Sequence, residues 1–261
     1  MPLLLLLNFS AKLAALPLFP FDPRIAFALW FVPDALLAYH LFAPHAQGLV
    51  TASRHFAPQG HEVWLTIDDG PDPDDTPCIL ELLARHRARA TFFLVGQRAA
   101  AHPQLVRAIL AAGHEVAHHT HTHPLRSFWC ASRQRVAREL DAGLTALRAL
   151  GAAPVRFRPP AGIKNLWLPG ALSSRGLTCI GWSSRGLECW SQSAESVARR
   201  LTRDLAPGKI LLLHEGPGVP SAIRIRAIQL TLEILAARGY RCVVPSAQQA
   251  EAHAVQRRRG F

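Results

Sequence analysis

The run Glu62-Val63-Trp64-Leu65-Thr66-Ile67-Asp68-Asp69-Gly70-Pro71 decides how this chain is read. Its first six residues alternate as a strand does, with β-branched and aromatic side chains among them. Two carboxylates follow, and Gly-Pro breaks the run in a turn. A strand that stops at Asp68-Asp69 puts both acids at the carboxyl edge of a sheet, where α/β enzymes keep their reactive groups. Neighbouring strand residues face opposite ways, so the two acids are expected to need different partners. A bare Asp-Asp-Gly-Pro is also an ordinary solvated turn. Four matching groups downstream argue for chemistry instead: His119 and His123 in a histidine-dense run, Arg158 before Pro-Pro, and His214 after four apolar residues.

Outward from that run, strand and helix patterns alternate. Asp75-Thr76-Pro77 makes a good helix start, and the helix is expected to reach His86. A strand over 90–95 ends at Gly96, a helix over 98–112 stops at Gly113, and a short strand at 115–117 enters the histidine run. Helical patterns then cover 132–150, 166–175, 193–205 and 221–238, with strands near 155–157, 178–180, 210–213 and 241–244. About seven alternations of this kind predict an α/β domain with a parallel sheet curled towards a barrel.

Upstream, residues 2–17 and 25–42 are strongly apolar, although Pro20, Pro23 and Pro33 interrupt the region and Asp34 sits inside the second stretch. Each stretch approaches the ~20 residues of a membrane span, and a charge at mid-bilayer costs about 2.5–3.5 kcal/mol on insertion scales. A signal peptide, two short membrane helices and an interfacial hairpin all fit. Membrane anchoring by residues 1–45 is the favoured expectation. Residues 46–60 look like a linker, 61–248 like the globular domain, and 249–261 like a frayed basic tail.

With 261 residues, 49% of them hydrophobic, the chain can bury a real core. The net charge of +11 comes almost entirely from arginines scattered along helical stretches. That reads as a solvated basic surface, without the aromatic platform of a nucleic-acid binder. The five cysteines are widely spaced and form no C-x-x-C pair, so neither a disulfide framework nor a cysteine zinc site is indicated. A Cys179–Cys189 bridge stays open for an oxidising compartment, and the oligomeric state is open as well.

The run Gly113-His114-Glu115-Val116-Ala117-His118-His119-Thr120-His121-Thr122-His123-Pro124 follows a strand, so its histidines belong to the same sheet edge as Asp68 and Asp69. Two imidazoles and one carboxylate with an open position form the ligand set of a hydrolytic zinc site. His119 and His123, four apart, would converge if the loop took one helical turn.

Taken in order, these motifs resemble the polysaccharide deacetylase family, also called the NodB-homology domain or carbohydrate esterase family 4, over roughly residues 61–248. The resemblance implies a distorted (β/α) barrel of about seven strands and hydrolysis of acetyl groups on sugars with one divalent metal. Thr66-Ile67-Asp68-Asp69-Gly70-Pro71 matches T-F-D-D-G-P, which makes Asp68 the general base and Asp69 a metal ligand. His119-Thr120-His121-Thr122-His123 matches H-T-x-x-H, adding His119 and His123 as ligands and leaving His118 and His121 as pocket wall or supporting residues. Arg158-Pro159-Pro160-Ala161-Gly162 matches R-P-P-x-G, where many members have Tyr in place of Ala161. Arg158 would orient Asp68 through a bidentate contact, and Pro160, Ala161 and Gly162 would line the sugar site, with the Ala161 N–H in the oxyanion hole. Leu212-Leu213-His214 matches L-x-H, giving His214 as general acid and Leu212 as a wall of the acetyl pocket. The fourth motif departs from the family: Glu188 would stand in for the Asp that supports the catalytic histidine, with an extra residue before Trp190, and Trp182 would join the substrate wall.

The expected activity is therefore removal of N-acetyl groups from a saccharide, with Zn2+, or Co2+ or Ni2+, bound. A deacylase or deformylase of a lipid-linked amino sugar, and a glycan-binding module without turnover, are the alternatives. The expected location is the membrane of the cell envelope, the bacterial inner membrane.

Overall fold

A computed structural model describes residues 3–190 and 193–250. Two helices lead the chain, α1 (Leu3–Ala15) and α2 (Pro23–Phe42). Then come β1 (Glu62–Asp68), α3 (Asp75–Arg85), β2 (Ala90–Leu94), α4 (Gly96–Ala101), α5 (Pro103–Ala111), β3 (Glu115–His118), α6 (Arg133–Arg148) and β4 (Arg156–Phe157). The remainder is α7 (Leu168–Ser173), β5 (Thr178–Cys179), β6 (Ser184–Arg185), α8 (Ala194–Thr202), β7 (Ile210–His214), α9 (Ser221–Ala237) and β8 (Arg241–Cys242). Strands run in the order β5-β4-β3-β2-β1-β7-β6, with β8 against the start of β1, and every pairing is parallel. The sheet curls into a half-barrel with helices packed on it, as the alternation of patterns implies.

β1 is an interior strand, paired with β2, β7 and β8, and all seven of its residues are buried. Val63, Leu65 and Ile67 join Phe92, Leu94 and Leu213 in the main apolar core. Trp64, on the opposite face, packs with Phe56, Phe93 and Ile210. By the two-residue period, Thr66 and Asp68 share the face of Trp64.

Four details differ from the sequence reading. The helix expected over 98–112 is two helices, because Pro103 lacks the N–H that would carry one ladder through and instead begins α5. Ser184–Arg185 forms a strand that no apolar pattern announced. Asp75 does begin α3 as read, but its side chain turns inward instead of capping the helix and is fully buried against Arg224. The expected linker, 46–60, is packed down: Leu49, Val50 and Phe56 are buried, and Ser53 and His55 bridge to Ile180 and Lys209. Its prolines and glycines shape an irregular strap along the domain. Of the expected tail, Ala250 is buried and 251–261 lie outside the described residues. The side chain of Cys189 lies outside them too, which leaves its pairing with Cys179 undecided.

α2 is 20 residues long and apolar enough to cross a membrane, and only 11% of its most apolar window is buried. Asp22 caps it by accepting from the Arg24 and Ile25 N–H groups. Asp34 does not face outward as a bare charge. It accepts hydrogen bonds from Asn8 (2.7 Å) and Lys12 (2.9 Å) of α1.

Candidate active site

The carboxyl ends of β1, β3, β4 and β7 deliver Asp68, His119, Arg158 and His214 to one place. Asp68 and His214 are register partners on adjacent strands. Asp69 is the first residue past β1 and takes a left-handed backbone, φ 74°. That reversal overturns the expectation of opposed acids: instead of pointing to the helix side, Asp69 folds back beside Asp68. His119 Nε2 then lies 3.2 Å from Asp69 Oδ1 and 3.9 Å from Asp68 Oδ2.

The loop after β3 brings His119 and His123 together without a helical turn. Thr120 and His123 adopt positive φ (64° and 55°) and curl it tightly. Thr120 Oγ1 accepts from the His123 N–H at 3.1 Å. Glu139 on α6 accepts from the N–H groups of His121 (3.0 Å) and Thr122 (2.9 Å) and from the Thr122 hydroxyl (2.6 Å), which clamps the loop to that helix. His123 Nε2 reaches 3.1 Å from Asp69 Oδ1. His119 Nδ1–H donates to the Arg158 carbonyl at 2.7 Å, which leaves the Nε2 lone pair facing Asp69. Asp69 Oδ1 is itself buried and has no hydrogen-bond partner. One donor atom each from Asp69, His119 and His123 lies within 4.8 Å of the others. Lone pairs converging on a buried orphaned oxygen are what a divalent cation resolves, so this donor set fits one.

His118 and His121 do not line the cavity. His118 turns to α6, where its Nε2–H donates to the Leu140 carbonyl at 2.9 Å, and burial holds its pKa down at about 4.

Arg158 is completely buried. Its Nη1 donates to Asp68 Oδ1 (2.6 Å) and Thr66 Oγ1 (2.9 Å), while Nη2 and Nε go to the carbonyls of Gly181 (2.8 Å) and Ile180 (3.2 Å). The contact with Asp68 is thus single rather than bidentate, because the other donors hold the strand-end loop after β5. The guanidinium also lies 4.1 Å above the Phe93 ring. Asp68 is fixed from one side, and its second oxygen remains turned to His119.

His214 Nδ1–H donates to Glu188 Oε1 at 3.3 Å, and the same oxygen accepts the His214 backbone N–H at 3.1 Å. Burial alone would lower the imidazole, but the Glu188 hydrogen bond and charge, with Asp68 and Asp69 behind them, raise its pKa to about 9. The extra residue before Trp190 is absorbed by a short helical turn, Glu188–Trp190, after a left-handed Leu187 (φ 59°).

A cavity of about 310 Å³ lies over these groups. Its walls include Ala161, Trp182, Arg185 and Leu212. Pro160 and Gly162 are buried and make the turn that presents Ala161 at φ 50°. Sequence reasoning missed Glu139, Arg185 and Glu215. Glu215 lies directly behind the Asp-Asp-Gly-Pro turn, bonded to Thr76 at 2.5 Å, and burial lifts its pKa to about 8. A Cβ on Gly70 would meet its Oε1 at 1.7 Å, so that position needs glycine. Its place next to His214 in the chain was the only available signal.

A curled parallel sheet with acids, imidazoles and an arginine gathered at its carboxyl edge is the layout of an α/β enzyme's active site. Comparisons with known proteins narrow this. Residues 57–180 match the family model "Polysaccharide deacetylase". The chain is 35% identical over 193 residues to a chitooligosaccharide deacetylase of Bradyrhizobium sp., covering 68% of this chain and 86% of that protein. It is 31% identical over 205 residues to a peptidoglycan-N-acetylglucosamine deacetylase of Bacillus cereus, covering 74% and 95%. The family 4 carbohydrate esterase of Streptomyces lividans, solved with acetate, superposes with a TM-score of 0.66 at 32% identity, covering 73% of this chain and 96% of that one. The chain belongs to the polysaccharide deacetylase family, the NodB-homology or family 4 carbohydrate esterases, and is an enzyme of the hydrolase class.

Proposed function

We propose that the chain is a metal-dependent deacetylase that removes N-acetyl groups from a saccharide. The observation that carries this reading is the convergence of Asp69, His119 and His123 in one cavity with Asp68 and His214, register partners on neighbouring strands. Asp69, His119 and His123 would hold one divalent ion, Zn2+ by donor type, with Co2+ or Ni2+ compatible. When bound, such an ion makes water more acidic and polarises a carbonyl. Asp68, held by Arg158, is the general base that takes a proton from the attacking water. The oxygen adds to the acyl carbon, and the Ala161 N–H at the cavity wall stabilises the oxyanion that develops. His214, kept protonated by Glu188, gives its Nε2 proton to the sugar nitrogen as the C–N bond breaks. One water is consumed, its oxygen leaves in acetate, and the sugar keeps a free amine. Leu212 and Trp182 close around the acetyl group, while Pro160 and Gly162 hold the turn.

Similarity to deacetylases of chitooligosaccharides and peptidoglycan supports an N-acetylated glycan as substrate. α2 supports anchoring in the membrane of the cell envelope. The test is metal titration. Chelator-treated protein should lose acetate release and regain it with one equivalent of Zn2+, whereas His123→Ala should lose both the stoichiometric site and the activity. Glycan binding by metal-loaded protein with no turnover would instead identify a binding module.

A further inference from the structure

The rim of the cavity indicates a narrower substrate class, an inference that rests on the deacetylase reading. Arg185 of β6 lines the cavity, is exposed, and its side chain forms no hydrogen bond or ion pair among the described residues. The acids that line the same cavity are engaged elsewhere: Asp68 with Arg158, Asp69 with His119 and His123, Glu188 with His214, Glu215 with Thr76. Arg54 stands behind the same wall and donates Nε–H to the Trp182 carbonyl at 3.2 Å. The His45 ring meets the Trp182 ring edge-on at 6.3 Å. Burial, then the charges of Arg54, Arg185 and Lys164, hold the His45 pKa below its usual value, which places all four groups in one positive field.

The apolar hairpin reaches the domain at this same rim. Lys164 Nζ donates to the carbonyls of Ala43 (2.8 Å) and Pro44 (3.1 Å), and Leu41 is buried in a domain core cluster. A Cβ on Gly162 would meet the Pro44 ring at 2.8 Å. No flexible tether separates the end of α2 from the turn that presents Ala161. The outer surface of the hairpin carries Leu7, Phe9, Phe27, Phe31 and Leu36, all exposed, while Asp34 is satisfied within the hairpin by Asn8 and Lys12. A helix that is apolar all round belongs in a protein core or a bilayer, and apart from its last turns α2 lies outside the core, with 11% of its most apolar window buried. Its ~30 Å length matches the hydrocarbon thickness. With α2 in a bilayer the cavity would open beside the membrane surface, and its volume sits at the low end for small-ligand sites, about 300 Å³.

We propose that the substrate is an amino sugar carried on a membrane lipid through a phosphate or diphosphate group. Arg185 takes the phosphate at the rim, one sugar away from the amide over Asp68, and the hydrocarbon chain stays in the bilayer that holds α2. Arginine suits this task because its planar donors match phosphate oxygens.

The test uses the full chain, metal-loaded, in lipid nanodiscs, with acetate release as readout. N-acetylglucosamine on a polyprenyl diphosphate, soluble N-acetylglucosamine 1-phosphate and an uncharged chitooligosaccharide are compared, with wild type beside Arg185→Gln. The lipid-linked sugar should be used at least about tenfold better than either soluble substrate in kcat/KM. Arg185→Gln should erode that preference by about tenfold, mainly through KM, as expected for loss of a charged hydrogen bond, and Arg185→Lys should restore part of it. Equal use of all three, or an Arg185→Gln effect that does not depend on substrate, overturns the inference and leaves the deacetylase standing. Use of the 1-phosphate as readily as the lipid-linked sugar removes the membrane carrier. No acetate from any of the three sinks the deacetylase reading itself.

Discussion

At the scale of single residues, Glu188 has the most consequence for chemistry. It lifts the His214 pKa to about 9 through a hydrogen bond and its charge. In the proposed role of general acid His214 works while it holds its proton, so the activity it supports is present below that pKa and falls as pH rises through it. Glu188→Gln removes the lifting charge. The alkaline limb of kcat/KM should move down by at least about one pH unit, with kcat at neutral pH falling ~10–100-fold. A pH profile with an unmoved alkaline limb would deny Glu188 this role. Gly70 has a structural consequence instead. Gly70→Ala drives a methyl into the buried Glu215 carboxyl and should cost about 1–3 kcal/mol of stability by urea denaturation.

At the scale of elements, the loop after β3 that carries His119 and His123 depends on α6. Glu139 accepts two backbone N–H groups and a hydroxyl from that loop. Glu139→Ala should leave the helix content unchanged by circular dichroism, yet weaken Zn2+ binding ~10–100-fold by competition titration, as other supporting partners of ligands do. The histidines themselves were legible in the sequence because chemistry concentrates them within five positions. Glu139 was not, since its partners lie 17 and 18 residues away and an acid on an amphipathic helix looks solvated. The strand runs were legible from their patterns: β2 and β7 as largely apolar stretches, and β1 by the alternation over 62–67. β6 carries Ser184 and Arg185, so only its pairing with β7 reveals it. Nor does residue order convey a left-handed turn at a non-glycine residue, which is why Asp69 was expected on the wrong face.

At the scale of the whole molecule, the strap over 46–60 and the hairpin behind it tie the N-terminal region to the barrel. Phe56 is 1% exposed beside Trp64. Phe56→Ala should therefore destabilise the domain by ~3–5 kcal/mol, whereas a free linker would tolerate it within about 0.5 kcal/mol. The central claim is that Asp68 supplies the base beside a separate ligand trio. It is tested most directly by acetate release from a chitooligosaccharide by the detergent-solubilised full chain, wild type against Asp68→Asn, with bound Zn2+ measured on the same samples. The account expects Asp68→Asn to keep its zinc and lose ~10²–10⁴-fold in kcat. Undiminished turnover by a zinc-loaded Asp68→Asn protein would contradict it.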